Sequence, residues 1–173
     1  MPLIALKNGR EISVRLYFPD DFQGVVAMFA CFSDDALRYD GPDVLKDEAK
    51  LKEWTSKLNR DIVFVALDGD RVVGFAEVFA ETSSRLRGIG MYAIYIHQDY
   101  QNQGLGLQVT ELVLEEARRR GFHRLTLGVV AEHKAAIRVY ERAGFQHEGR
   151  MREAYFADHD QKYHDNLIMG IIL

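Results

Sequence analysis

Apolar and polar residues alternate from Ile12 to Phe18, the period of a strand that buries one face. Pro19-Asp20-Asp21 ends the alternation and offers an N-cap for a helix running to about Phe32. From Asp43 to Leu58 the apolar positions Leu45, Leu51, Trp54 and Leu58 follow a helical spacing. Two strand-like runs come next, Asp61 to Leu67 and Val72 to Ala80. The Asp68-Gly69-Asp70-Arg71 segment between them supplies the positive φ of a hairpin turn. Residues 83–88 are polar and turn-like, and a further strand begins near Ile89. A long amphipathic helix then buries Leu105, Val109, Leu112 and Val113. It stops at Arg118-Arg119-Arg120-Gly121, where cations complement the helix dipole and glycine ends the helix. Arg124 to Val130 reads as another strand. The order predicts a single α/β domain over residues 1–173.

The segment from Met91 to Gly106, MYAIYIHQDYQNQGLG, carries the first chemical signal. A strand runs into a loop with closely spaced glycines, and a helix follows directly. Glycines let backbone N–H groups face an anion, while the new helix adds unpaired donors and its positive dipole end. A nucleoside triphosphate loop would need Gly-Lys-Ser/Thr, but Leu107 and Gln108 follow Gly106. A dinucleotide fingerprint would need a third glycine where Val109 stands. Both readings fit poorly.

Gln101-Asn102-Gln103-Gly104-Leu105-Gly106 resembles the Q/R-x-x-G-x-G/A pyrophosphate loop of the Gcn5-related N-acetyltransferase (GNAT) superfamily, with Ile94-Tyr95-Ile96 as its leading strand. Glu132 to Phe145, EHKAAIRVYERAGF, is similar to the second acetyl-CoA motif, N-x-x-A-x-x-x-Y-x-x-x-G-F. Ala136, Tyr140, Gly144 and Phe145 match, whereas His133 stands in the Asn position. Leu6 to Asp21 resembles the first strand and helix start of many members. The closing REAYFADHDQKYHDNLIMGIIL is similar to the last hairpin of the branch that acetylates ribosomal-protein N termini, polyamines and related amines.

The resemblance implies an acyl-CoA N-acyltransferase fold of the α+β type: a central, mostly antiparallel, splayed sheet flanked by helices. It implies acetyl-CoA as co-substrate and direct attack by a primary amine in a ternary complex. Backbone groups of Ile94, Tyr95 and Ile96 would receive the pantetheine arm and polarise the acetyl carbonyl, and residues Gln101 to Gly106 would hold the pyrophosphate. His133 keeps one donor and one acceptor in place of the Asn amide; its alternative is a solvent-facing residue in the first helical turn. Tyr140 is the expected general acid, since a phenol of pKa about 10 is protonated at neutral pH and lies near a thiol at about 8.5.

An α-amine of pKa about 8 is neutral roughly one time in ten at pH 7, and a lysine-like amine far less often. Glu77 and Glu81 are candidate bases, acting directly or through water, set against the commoner fate of solvated strand-edge carboxylates. Tyr92, Tyr95 and His97 are rivals from the next strand. Asp34, Asp35, Asp158, Asp160 and Asp165 are either turn residues or an attraction for a cationic acceptor. The acceptor class stays open among small amines, polyamines, antibiotics and peptide N termini. Two other readings stand beside the enzyme: a non-catalytic acyl-CoA-binding regulatory module and a different nucleotide-binding protein.

Composition narrows the classes. With 173 residues and 47% hydrophobic content, the chain suits one core. Its apolar runs fall short of the roughly 20 residues that span a bilayer, so no membrane partner is expected. The lone Cys31 rules out an intramolecular disulfide and points to a cytoplasmic setting, and its helix position predicts a buried thiol. A net charge of -4 argues against nucleic acid. His159 and His164 match no zinc spacing, so no metal is expected. The apolar end, Leu167 to Leu173, is expected either at a homodimer interface or in the core.

Overall fold

The computed structural model describes residues 2–36, 38–39, 47–56 and 60–173. In chain order the elements are β1 (Leu3–Ala5), β2 (Glu11–Leu16), α1 (Phe22–Ala30), α2 (Glu48–Ser56), β3 (Arg60–Asp68), β4 (Arg71–Ala80), β5 (Ile89–Ile96), α3 (Leu105–Arg119), β6 (Arg124–Val130), α4 (Lys134–Ala143), β7 (Gln146–Ala157) and β8 (Lys162–Ile172). The strands form one sheet in the order β1-β2-β3-β4-β5-β6-β8-β7. Every neighbouring pair is antiparallel except β5 and β6.

Local chemistry accounts for most of the element boundaries. Asp21 accepts the backbone N–H of Phe18 at 2.8 Å and holds Arg15 through two bonds of 2.6 and 2.7 Å, fixing the corner between β2 and α1. Gly69, at φ +59, turns β3 into β4 and pairs Asp68 with Arg71. Helix α2 occupies the middle of the predicted 43–58 helix; Leu45 and Leu58 lie outside the described residues.

The sheet has a core on each face. On one, α3 and α4 bring Leu105, Val109, Val113, Ile137 and Tyr140 against Val14, Ala76, Val78, Tyr92 and Leu127. On the other, α1 packs Val25, Met28 and Phe29 onto Val65 and Phe75. Each fully buried large apolar side chain contributes about 1.5–3 kcal/mol relative to exposure.

Two sequence expectations are corrected. Cys31 is exposed, because it caps the C-terminal end of α1 and lies beyond that helix's buried stripe of Val25, Met28 and Phe29. Glu77 is no strand-edge carboxylate: β4 lies between β3 and β5, and the side chain is 0% exposed. In the apolar C-terminal run Met169 is fully buried and Leu167, Ile171 and Leu173 pack on the core, while Ile172 is exposed.

Candidate active site

The site begins where two strands part. β5 and β6 pair in parallel only at Ile89–Arg124, Gly90–Leu125 and Met91–Thr126. Beyond that point β5 stays on β4 through Ile96, while β6 stays on β8 through Val130, and a wedge opens between them. Alternation along an antiparallel ladder decides which backbone groups face the wedge. His97 N–H bonds Val73 C=O at 2.9 Å, so the groups of Tyr95 turn toward β4 and those of Ile94 and Ile96 turn toward the opening.

At the wide end of the wedge, Gly104 forms the N-cap of α3 in the left-handed region at φ +92, and Asn102 precedes it at φ +58. Residues without such backbone freedom would be strained there. Three further bonds hold the loop. Gln101 Nε2 donates to Ile96 O at 2.9 Å, Thr110 Oγ1 donates to Gly106 O at 2.7 Å, and Lys7 N donates to Gln103 O at 3.4 Å. The first N–H groups of α3 therefore emerge beside the wedge with the helix dipole behind them.

A cavity of about 290 Å³ fills this region, bounded by the wedge, the loop and one face of α4. Its lining includes Ile94, Ile96, Gln101, Asn102, Gly104, Gly106, His133 and Tyr140. Of the other expected contacts, Leu105 is fully buried in the core, Gln103 stands outside the lining, and Tyr95 packs edge-on against Phe29 on the opposite sheet face. Lys7, Arg138 and Arg142 also line the cavity, an addition sequence reasoning missed. The i, i+4 spacing of the two arginines was the available signal; that of Lys7, far upstream, had none.

Helix α4 supplies the remaining groups. His133 is its N-cap, with Nδ1 accepting Ala136 N–H at 3.4 Å, so the neutral ring carries its proton on Nε2. Tyr140 is 8% exposed, its ring edge-on against the stacked Tyr92 and Phe145 rings at centroid distances of 6.2 and 5.9 Å. Gly144, at φ +100, ends the helix.

The rival bases separate by environment. Burial pushes the Tyr92 phenol well above its ordinary range despite a 2.9 Å bond with Thr110, which removes it as a proton acceptor at neutral pH. His97 is buried and held below the usual imidazole range by desolvation, with Asp99 opposing and Arg71 adding to the effect. Glu81 is exposed just past β4. Glu77, two residues beyond Phe75, shares the α1 side of the sheet and lies opposite Val63 and Ala93 in the strand register, so it does not share Tyr140's cavity. A second cavity, of about 370 Å³, adjoins the first through Gln101, His133 and Ala135 and extends to Asp35, Tyr39 and Glu132.

Comparison with known proteins gives the same frame. Residues 26–145 match the acetyltransferase (GNAT) family. The chain is 31% identical over 134 residues to the [ribosomal protein bS18]-alanine N-acetyltransferase of Escherichia coli K12, covering 73% of this chain and 86% of that protein. A GNAT-family acetyltransferase from Streptococcus pneumoniae superposes with a TM-score of 0.77 at 27% identity, covering 94% of this chain and all of the other. A Salmonella typhimurium putative acetyltransferase solved with acetyl-CoA shares the fold, with a TM-score of 0.78 at 21% identity and 94% of each chain covered. The protein belongs to the GNAT acetyltransferase family. It is an N-acetyltransferase with acetyl-CoA as co-substrate. Among the described residues no helix is long and apolar enough to cross a membrane.

Proposed function

We propose that the enzyme transfers the acetyl group of acetyl-CoA directly to a primary amine, with the acceptor drawn from peptide N termini, polyamines, antibiotics and other small amines. The observation that carries this reading is the wedge between β5 and β6, with the Gly104–Gly106 loop at its mouth and Tyr140 on its wall. In this reading the loop and the first turn of α3 receive the diphosphate, with Lys7, Arg138 and Arg142 adding positive charge. The pantetheine follows the backbone of Ile94 and Ile96, whose N–H groups polarise the acetyl carbonyl.

The neutral amine attacks the thioester carbon, the C–S bond breaks, and Tyr140 gives its proton to the departing thiolate. The amine's own proton leaves through water to Glu77, which lies outside Tyr140's cavity. No covalent enzyme intermediate is needed, and exposed Cys31 caps α1 with no role in the reaction. The Escherichia coli relative is named for acetylating an alanine of a ribosomal protein, and a Vibrio cholerae structural neighbour is named a spermidine N-acetyltransferase. Both names support an amine acceptor.

Thiol release from acetyl-CoA, measured against peptides with free N termini, polyamines, amino acids and aminoglycosides, tests the reading. Turnover with one class and saturable acetyl-CoA kinetics are expected. Acetyl-CoA binding without turnover across the panel would reduce the protein to a binding module.

A further inference from the structure

The tip of the β7–β8 hairpin gathers metal-ligating side chains that the transfer reaction does not use. His159, Asp160 and His164 each present one ligand atom, and these atoms lie within 4.8 Å of one another. Asp160 Oδ2 is 3.0 Å from His164 Nε2 and 3.8 Å from His159 Nε2. Behind the His164 ring, Glu132 Oε2 stands 3.2 Å from Nδ1. Tyr39 packs edge-on against both imidazoles, which stack with their centroids 6.1 Å apart. No spacing along the chain announces this grouping. The turn creates it, with Gln161 at φ +56 and its N–H bonded to Ala157 O at 2.9 Å.

We propose that His159, Asp160 and His164 bind a divalent transition-metal ion of the zinc class, with Glu132 orienting His164 from behind. Two imidazole nitrogens and one carboxylate oxygen suit Zn²⁺, Ni²⁺ or Cu²⁺ better than the hard cations, which prefer all-oxygen sets. Zinc–ligand bonds of about 2.0–2.2 Å place tetrahedral ligand atoms about 3.4 Å apart, close to the separations already present. A carboxylate on Nδ1 is the common outer partner of a metal-bound histidine, because it fixes the proton there and leaves Nε2 with its lone pair.

The ligands are partly exposed, so an ion has a path in and solvent can complete its coordination. The His164 imidazole lies between two carboxylates and is held above its ordinary pKa by Asp160 first, then by Glu132, against desolvation. The groups that face it are Asp160 and His159 on the hairpin, Glu132 ahead of α4, and the Tyr39 ring. A metal entering at Nε2 displaces that proton, and affinity therefore rises with pH. The ion is no part of acetyl transfer; it ties the hairpin tip to the α4 side of the second cavity through Glu132.

Calorimetric titration of the tag-free full chain with Zn²⁺ tests this. One ion per chain is expected to bind, more weakly at pH about 6 than at about 7.5, because binding at a nitrogen ligand releases a proton. His164→Ala and Asp160→Asn are each expected to weaken it by about tenfold or more, and Glu132→Gln by about tenfold. His147→Ala, on β7 and paired with Glu141, should leave it unchanged. Unaltered coenzyme A affinity in Asp160→Asn shows that the fold is intact. Absence of saturable binding overturns the proposal, as does stoichiometric binding that survives the His159→Ala/His164→Ala double substitution.

Discussion

Gln101 Nε2 donates to the Ile96 carbonyl at 2.9 Å, tying the first residue of the glycine loop to the last residue of the open strand. The bond fixes the distance between the two surfaces that a pantetheine diphosphate would touch. A net hydrogen bond of about 1 kcal/mol corresponds to roughly a fivefold change in an equilibrium constant. Gln101→Ala is therefore expected to raise the KM for acetyl-CoA about fivefold with a smaller change in kcat. Steady-state kinetics with acetyl-CoA varied decides it, and an unchanged KM would show that the loop holds its place without this bond.

Tyr140→Phe keeps the ring edge-on against Tyr92 and Phe145 and removes only the hydroxyl. If the phenol protonates the leaving thiolate, kcat falls about 10²-fold or more while affinity for coenzyme A stays near that of the parent. Equal losses in binding and turnover would make Tyr140 a packing residue of the cofactor wall.

Glu77 lies fully buried on β4, opposite Ala93 of β5, the strand that opens the wedge. Glu77→Gln preserves its volume. The expected result is a kcat lowered about 10²-fold and loss of the acidic limb of the pH–rate profile, with acetyl-CoA binding intact. A variant with the parent profile would exclude Glu77 as the base.

Hydrogen bonding from the Arg15 guanidinium first, then from the Phe18 N–H, and last the Arg15 charge hold the Asp21 carboxyl below the ordinary aspartate range, against desolvation. A lowered folded-state pKa means that this stabilisation is complete above the unfolded value of about 3.9 and is lost as pH falls through the folded value. Asp21→Asn should cost about 1–3 kcal/mol at neutral pH and flatten the acid limb of stability below pH about 4. Chemical denaturation at neutral and acid pH measures both. Equal destabilisation at the two pH values would show that the ionised state of Asp21 contributes nothing to stability.

What the chain disclosed by itself were features with short-range causes. The hairpin at Asp68-Gly69 follows from one positive φ, α3 from an apolar stripe at helical period, and the Gly104–Gly106 loop from the left-handed backbone that Gly104 adopts at the head of α3. Tyr140 and His133 belong to this group, because they share a ten-residue helix and its cap.

Only the tertiary structure decided the rest. Lys7 reaches the same cavity as Arg138 because β1 and β2 fold back along the sheet, a placement that no local spacing encodes. Tyr95 turns its backbone toward β4 while Ile94 and Ile96 turn theirs to the wedge, and that parity depends on the register between β4 and β5. Glu77 became a buried carboxyl because β3 and β5 flank β4, and the wedge opens because β5 follows β4 through Ile96 while β6 follows β8 through Val130, so the two part after Met91–Thr126. Periodicity specifies which face of an element is buried; long-range strand pairing alone specifies what that face meets.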